Sequence, residues 1–233
     1  MNIIELKAPM SWGELTREQL LSVAEILTMK LTREEMLVTL FCRLADVKLE
    51  LKGKSWILQK GKASARIKDW VIACFSERFS WILDTQPKGV ANPTAADDYI
   101  RDLSFGDWFE TDTLLRLYED DSDMSHFDDI LPLLKEAPRK LTLAEATAYK
   151  WWWWSVQDML AETYPNVFER KDPDAEPAPY EPFKTLQDFH LLLNDNHPQD
   201  NERIDGSNVH DVLSAIDNKI SGLKYRQELL NKV

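Results

Sequence analysis

Four consecutive tryptophans, Trp151 to Trp154, constrain the fold of this chain more than any other sequence feature. They lie in a segment, residues 142–163, whose start and apolar pattern predict an α-helix. Successive helical residues are rotated by about 100°, so four adjacent indoles cannot all face one core. The wheel puts Trp151 and Trp153 beside the core-facing stripe and Trp154 opposite Trp152. The predicted stripe consists of Ala148, Trp152, Val156, Met159 and Thr163.

The outward ring of Trp154 requires cover, because a tryptophan can bury about 200 Å² at about 25 cal/mol per Å². Three kinds of cover are open. Another part of the chain, such as the segment around Thr185 or Tyr180, can lie across the ring. A partner protein can cover it, or the ring can stay exposed beneath Lys150. Trp151 and Trp154 are therefore candidate partner-binding residues.

Three helix starts carry the same signal, a threonine followed three residues later by Gln or Glu. In this capping box the hydroxyl accepts a free backbone N–H of the first turn, and the later side chain binds back to the cap. The pairs are Thr16 with Gln19, Thr32 with Glu35, and Thr142 with Glu145. Each pair predicts a helix that begins directly after the threonine.

The segments between these helices carry weaker signals. A strand-like start is predicted at residues 3–6. Alternating apolar residues around Gly53 predict a β-hairpin near 46–59. Apolar residues at helical spacing predict a helix over 64–83, and Ser104 is a predicted N-cap for another helix. A short helix is predicted over 127–135.

The composition changes after residue 170, where four prolines fall within fourteen residues. This pattern predicts an extended, semi-rigid linker over 171–183. The predicted fold is mainly α: a helical domain over 1–170 with one small hairpin, then the linker, then a helical C-terminal segment over 184–233. That segment is expected to contain helices at 185–193 and 208–231.

The last predicted helix has an apolar seam with alternating spacings of four and three residues, which is typical of a coiled coil. Gln227 is its one polar position. The same pattern is expected of a helix that packs back onto its own domain, so oligomerisation and docking both remain open. The seam residues are candidate partner-binding residues: Val209, Leu213, Ile216, Ile220, Leu223 and Leu230.

The charge balance narrows the possible partners. The formal net charge is −12, with a pI near 4.8, which disfavours nucleic acid and anionic membranes. We find no signal-peptide pattern and no apolar run of about 18 residues, so we expect a cytoplasmic protein. Cys42 and Cys74 are predicted to be buried free thiols in a reducing compartment.

Charge is also unevenly distributed along the chain. Residues 48–68 contain seven basic side chains and one acid, whereas residues 84–136 contain fourteen acids and four bases. Solvated faces, contacts within one molecule, and opposite poles for head-to-tail assembly are all consistent with this distribution.

No motif for catalysis or cofactor binding is complete. Lys52–Ser55 lacks the first glycine of a phosphate loop, and the acidic run from Asp121 lacks the glycine and glutamate of a calcium loop. The four histidines form no metal-binding pair. We therefore expect no cofactor and no enzymatic activity. The remaining enzyme hypothesis uses acids near Trp108, namely Asp107, Glu110 and Asp112.

Two phrases, "SWGELTREQLLSVAEIL" and "DDYIRDLSFGDWFETD", together with the basic hairpin, resemble proteins encoded in prophage and phage-like regions of Bacteroidetes-type bacteria. The resemblance covers residues 11–170. It implies a small cytoplasmic accessory protein, such as a tail-assembly chaperone, and it supplies no catalytic residues.

These observations predict a non-enzymatic protein that binds another protein, as an assembly chaperone or adaptor of a phage-like element. The first alternative is a structural component that self-associates through its last helix. The second is an enzyme that uses the acidic residues near Trp108.

Overall fold

The computed structural model describes residues 4–94, 100–168, 181–195 and 197–231. These residues are mainly helical, with one small antiparallel sheet, as predicted. Contacts within the chain divide it into two compact units. Unit 1 comprises Met1–Ala96 and Leu141–Ser155, and unit 2 comprises Asp97–Lys140 and Val156–Val233. The predicted boundary near residue 170 lies outside the described residues.

Unit 1 begins with two capped helices. Its helices are α1 (Arg17–Leu27), α2 (Arg33–Leu44), α3 (Asp69–Ser76) and α4 (Trp81–Asp84). The predicted capping boxes of Thr16 and Thr32 are both present, so these two helices begin where the sequence indicates. Short 3₁₀ turns lie at Trp12–Glu14 and Glu77–Phe79. The predicted strand at the start of the chain is wrong for its described part, because Ile4 to Leu6 have no regular structure.

The sheet of unit 1 has three strands, one more than the predicted hairpin. They are β1 (Lys48–Lys52), β2 (Ser55–Lys60) and β3 (Ala63–Ile67), in the order β1-β2-β3. The predicted helix over 64–83 is therefore wrong at its start and is broken at Glu77–Phe79. Gly61 adopts a φ of +55°, which a glycine tolerates readily. The turn that it forms pairs β3 with β2 before α3 begins.

The core of unit 1 forms where α1 and α2 pack together. Leu20, Leu40 and Phe41 are almost completely buried. Phe41 stacks on Phe75 with ring centroids 5.8 Å apart and lies 6.2 Å from Phe79. The predicted burial of both cysteines is wrong: Cys42 is half-buried and Cys74, on α3, is exposed.

Unit 2 is built around one long helix and the last helix of the chain. Its described helices are α5 (Phe105–Asp121), α6 (His126–Leu133), α8 (Pro182–Leu193), α9 (Asn201–Asp205) and α10 (Val209–Leu230). Ser104 caps α5 as predicted, and its hydroxyl accepts from the backbone N–H of Asp107 at 3.1 Å. The first turns of α5 and α10 are joined by backbone hydrogen bonds, Phe105 N to Ser207 O at 2.8 Å and Val209 N to Leu103 O at 3.0 Å.

The helix α7 (Leu143–Thr163) begins in unit 1 and ends in unit 2. The third capping box is present, because Thr142 Oγ1 accepts from Glu145 N at 3.2 Å and Glu145 Oε2 accepts from Thr142 N at 2.8 Å. The helix that contains the four tryptophans is therefore confirmed within one residue at its start.

The predicted proline-rich linker lies outside the described residues as far as residue 180. Its last part was predicted wrongly, because Pro182 is the first residue of α8. Proline suits this position, where its fixed φ is helical and its missing N–H has no helical partner. Between α8 and α10, where the sequence predicts no helix, the chain forms the short helix α9.

Among the described residues, no helix combines the length and the apolar character that crossing a membrane requires.

Candidate protein-interaction site

The tryptophan helix buries three of its four indoles. The exposed fractions are 7% for Trp151, 2% for Trp152, 2% for Trp153 and 36% for Trp154. The predicted opposition of Trp152 and Trp154 on the helical wheel is therefore confirmed. Trp153, which was placed beside the stripe, is as deeply buried as Trp152.

Trp151 is covered by an aromatic cluster of unit 1. Its ring centroid lies 5.2 Å from that of Trp12, which contacts Trp81 edge-on at 5.5 Å. The indole N–H of Trp12 donates to Thr85 Oγ1 at 3.1 Å. This candidate partner-binding residue consequently has its ring packed inside unit 1.

The buried line of α7 departs from the predicted stripe in its last turns. Val156 and Leu160 are buried, whereas Met159 is half-buried and Thr163 is exposed. The hydroxyl of Thr163 donates to the backbone carbonyl of Met159 at 2.8 Å. The predicted inward position of Thr163 is thus wrong, Met159 is only partly buried, and Leu160 is the fully buried residue of these turns.

Trp154 remains exposed over about a third of its surface. The Nζ atom of Lys150 lies 4.9 Å from the centroid of its ring. An ammonium in this position is attracted by the ring, with a contribution of about 0.5–1 kcal/mol at an exposed site. Within the described residues this geometry matches the third of the predicted covers. Tyr180, named for the first cover, lies outside the described residues. The exposed part of the ring is open to a partner in the described structure.

The first half of α10 is docked within unit 2. Val209, Leu213 and Ile216 are all 0% exposed, and α10 packs against α5 and α8. These three candidate residues belong to the core of unit 2. The first half of α10 therefore packs onto its own unit, which is one of the two alternatives that the sequence left open.

The second half of α10 is exposed, although the apolar seam continues along it. Ile220 is half-buried, Leu223 is 53% exposed and Leu230 is 76% exposed. Tyr225 and Leu229 add further exposed apolar surface on the same turns. We call residues 217–231 the α10 end. It contains three further candidate residues that a partner can reach, Ile220, Leu223 and Leu230.

A groove of about 460 Å³ lies between α8 and the α10 end. Its wall is partly cationic: Lys219 donates to Leu192 O at 2.7 Å and to Asp195 Oδ1 at 2.8 Å. The hydrogen bond and charge of Lys219 lower the pKa of Asp195. A Cβ added at Gly222 would meet no atom within 4 Å, so the backbone of α10 is open there. The groove is lined by Leu191, Leu192, Ala215, Asn218, Lys219, Gly222, Leu223 and Arg226.

The acids of the enzyme hypothesis lie in three different environments. Asp107 is in the first turn of α5, and Glu110 is exposed. Asp112 is 8% exposed, and its Oδ2 accepts from Arg116 Nε at 2.8 Å. Within the described ranges, no group of three or more His, Cys, Asp or Glu residues could hold a metal ion.

Sequence reasoning missed two exposed apolar residues of unit 1. Leu51 on β1 is 57% exposed, and Trp70 on α3 is 64% exposed. Both were assigned to apolar faces, Leu51 by alternation and Trp70 by helical spacing. Once β3 ends at Ile67, Trp70 falls in the first turn of a much shorter helix. Trp70 was misplaced because the helix was predicted to begin at residue 64, whereas it begins at Asp69.

Comparisons of the chain with protein-family models, with curated proteins and with solved structures each gave no match.

Proposed function

We propose that this chain is a non-enzymatic accessory protein that binds another protein through the α10 end. The observation that carries the proposal is the division of one helix into a docked half and an exposed apolar half. Leu213 is completely buried, whereas Leu223 and Leu230, on the same seam, are 53% and 76% exposed.

A contiguous apolar surface that stays exposed on a folded protein commonly marks a site where another protein binds. The groove beside it supplies what an amphipathic partner helix requires, since Leu191, Leu192 and Leu223 offer apolar contacts. Helix-in-groove binding of this kind places partner residues at spacings of three and four. Arg226 at the groove favours a partner with an acidic residue beside its apolar face.

The charges beside the seam favour another protein over a second copy. In a parallel coiled coil, a g residue faces the e residue five positions further along the other helix. With Ile220 at an a position and Leu223 at a d position, Lys219 is a g residue and Lys224 is an e residue. Lys219 would then face Lys224 of the second copy, and like charges at that spacing oppose pairing. The sequence resemblance adds the class of partner, a component that an assembly chaperone or adaptor of a phage-like element keeps soluble.

The test compares wild-type protein with the double variant Leu223→Gln and Leu230→Gln. Glutamine is polar and a good helix former, so α10 is expected to keep its structure. Proteins captured from extract of the encoding organism are identified, and each candidate is then purified and titrated by calorimetry. The expected result is a defined partner that the wild type binds and the double variant binds at least about tenfold more weakly, a loss of about 1.4 kcal/mol.

The matched control is Leu143→Gln, because Leu143 is also 53% exposed but lies at the start of α7. It should bind the partner as the wild type does. Equal binding by the double variant would refute the role of the α10 end. Co-expression with the same partner tests the chaperone role, which requires that more of the partner remains soluble.

Self-association through α10 is the second candidate function, favoured by the seam spacing of Ile220, Leu223, Gln227 and Leu230. Light scattering separates the two candidates. A dimer that becomes monomeric in the double variant would assign the α10 end to a second copy.

A further inference from the structure

The end of the sheet in unit 1 is an apolar surface with a cationic rim. Leu51, Trp56 and Ile67 lie side by side across the three strands. Leu51 is 57% exposed, and the other two side chains are half-buried. Trp70 follows in the first turn of α3 and is 64% exposed. Tryptophan is the residue type that most often dominates binding energy at interfaces.

Three lysines lie around this row, and we call the surface they form with Leu51 and Trp70 the sheet end. Lys52 pairs with Ser55 beside the row, Lys54 is in the adjoining turn, and Lys68 directly follows Ile67. Lys52 Nζ lies 3.2 Å from Glu50. Lys54 and Lys68 are exposed, and no described carboxylate of unit 1 forms an ion pair with either.

A surface of the opposite sign lies in unit 2, where α5 ends and α6 begins. Between residues 117 and 134 the chain has six acids and no lysine or arginine. All six are exposed: Glu119, Asp120, Asp121, Asp123, Asp128 and Asp129. We call these acids, together with Leu117, the acidic corner. Leu117 is 44% exposed, and Asp120 and Asp121 follow it at three and four residues on the same helix face.

Hydrogen bonds within the acidic corner lower the pKa of two of its carboxyl groups, those of Asp121 and Asp123. Asp121 Oδ1 accepts from Asp123 N at 2.8 Å, and Asp123 Oδ1 accepts from Ser125 N at 2.9 Å. These backbone hydrogen bonds are the main reason that the pKa of each carboxyl lies below its ordinary value. His126 Nε2 lies 2.9 Å from Asp121 Oδ2, within hydrogen-bond distance.

We propose that the sheet end of one molecule binds the acidic corner of a second copy of this chain. Each surface has an exposed apolar side chain with charges beside it. At the sheet end the cations Lys52, Lys54 and Lys68 outnumber the acids Glu50 and Asp69, and Lys52 is paired with Glu50. The acidic corner has the opposite sign. Complementary charge gives such a contact its specificity and association rate. Because the two surfaces differ, the contact joins molecules head to tail and leads to rings or open chains rather than to a symmetric dimer. The proposal uses surfaces other than the α10 end and does not rest on the function proposed above.

The test is a charge exchange measured by sedimentation. One variant carries Lys54→Glu and Lys68→Glu, and the other carries Glu119→Lys and Asp120→Lys. Both are compatible with the fold. Lys54 is exposed in the turn between β1 and β2, an acid at position 68 precedes a helix, and cations at positions 119 and 120 lie in the last turn of one. Each is measured alone and in an equimolar mixture, at about 0.01 M and about 1 M salt, where the Debye length is about 30 Å and about 3 Å.

We expect wild-type protein to self-associate at low salt and to dissociate at high salt. Each variant alone should associate at least about tenfold more weakly, which corresponds to about 1.4 kcal/mol. The mixture should regain association, because each variant then meets the opposite sign on the other. Two controls with the same change in net charge should behave as wild type: Lys30→Glu with Lys88→Glu, and Glu162→Lys with Glu202→Lys.

Three results would overturn the proposal. Wild-type protein can remain monomeric at low salt up to its solubility limit, the variants can associate as wild type does, or the mixture can fail to regain association. A labelled single-stranded oligodeoxynucleotide provides the last arm. Binding that is lost in the Lys54→Glu and Lys68→Glu variant, while wild-type protein stays monomeric, would assign the sheet end to nucleic acid instead.

Discussion

Replacing Leu213 with alanine tests whether the first half of α10 is part of the core of unit 2. Leu213 is 0% exposed on a helix that packs against α5 and α8. Removing a fully buried leucine side chain costs about 2–5 kcal/mol, depending on how far the cavity closes. For a chain of this size, 1 kcal/mol moves the melting temperature by about 2–4 °C. We therefore expect Leu213→Ala to lower it by about 4–20 °C, measured by circular dichroism.

The matched control is Leu230→Ala, which makes the same chemical change on the same seam where the side chain is 76% exposed. Alanine is at least as good a helix former as leucine, and surface substitutions usually change stability by less than about 0.5 kcal/mol. Its melting temperature should stay within about 2 °C of wild type. Urea unfolding with unchanged slopes would show that stability alone has changed. Similar shifts for both variants would refute the division of α10 into a docked and an exposed half.

Three further predictions concern individual side chains. The Arg33 guanidinium lies 2.9 Å from Asp84 and lowers its pKa, so the pair stabilises the fold above about pH 4, the usual range of an unfolded aspartate. The deficit of Asp84→Asn in urea unfolding should be present at pH 7 and disappear as the pH falls through the lowered pKa; a deficit independent of pH would contradict this. Exposed Cys74 should react with a thiol reagent faster than half-buried Cys42, whose pKa is raised by burial, and Cys74→Ser should remove the fast phase. Trp154→Phe should lower the fraction of fluorescence that acrylamide quenches, and an unchanged fraction would mean that this ring is covered.

Helix starts were predictable because their signals are local. The hydroxyls of Thr16, Thr32 and Thr142 are within three residues of the groups they bind. Nothing elsewhere in the chain has to be known to place these caps. The same locality explains why the cap at Ser104 was placed correctly.

The second turn of the sheet was missed because its pattern is ambiguous. Ala63, Ser64 and Ala65 are small residues that suit a strand or a helix, and the alternation ends after Ile67. What decides the structure is pairing with β2, where Ala65 lies opposite Leu58. That contact depends on the register of the whole sheet, which short-range patterns do not report.

The sequence located the apolar seam of α10 but could not indicate which of its residues are exposed. The seam of α10 was evident from its spacing, but equal spacing along a helix cannot indicate where the neighbouring helices stop. Leu213 and Leu223 have the same pattern, and only the packing of α5 and α8 distinguishes them. Likewise, Trp151 resembles Trp154 in sequence, and its cover by Trp12 comes from a distant part of the chain.

The interleaving of the two units has a consequence for synthesis on the ribosome. Unit 1 is interrupted after Ala96, and its last stretch, Leu141–Ser155, carries the tryptophans. At about 5–20 residues per second, the 59 residues from 97 to 155 take about 3–12 s to translate. During that interval Trp151 has not been synthesised, so Trp12 lacks this packing partner and the core of unit 1 is incomplete. The nascent chain is open to chaperones at this stage, and the order of translation sets when that stage ends.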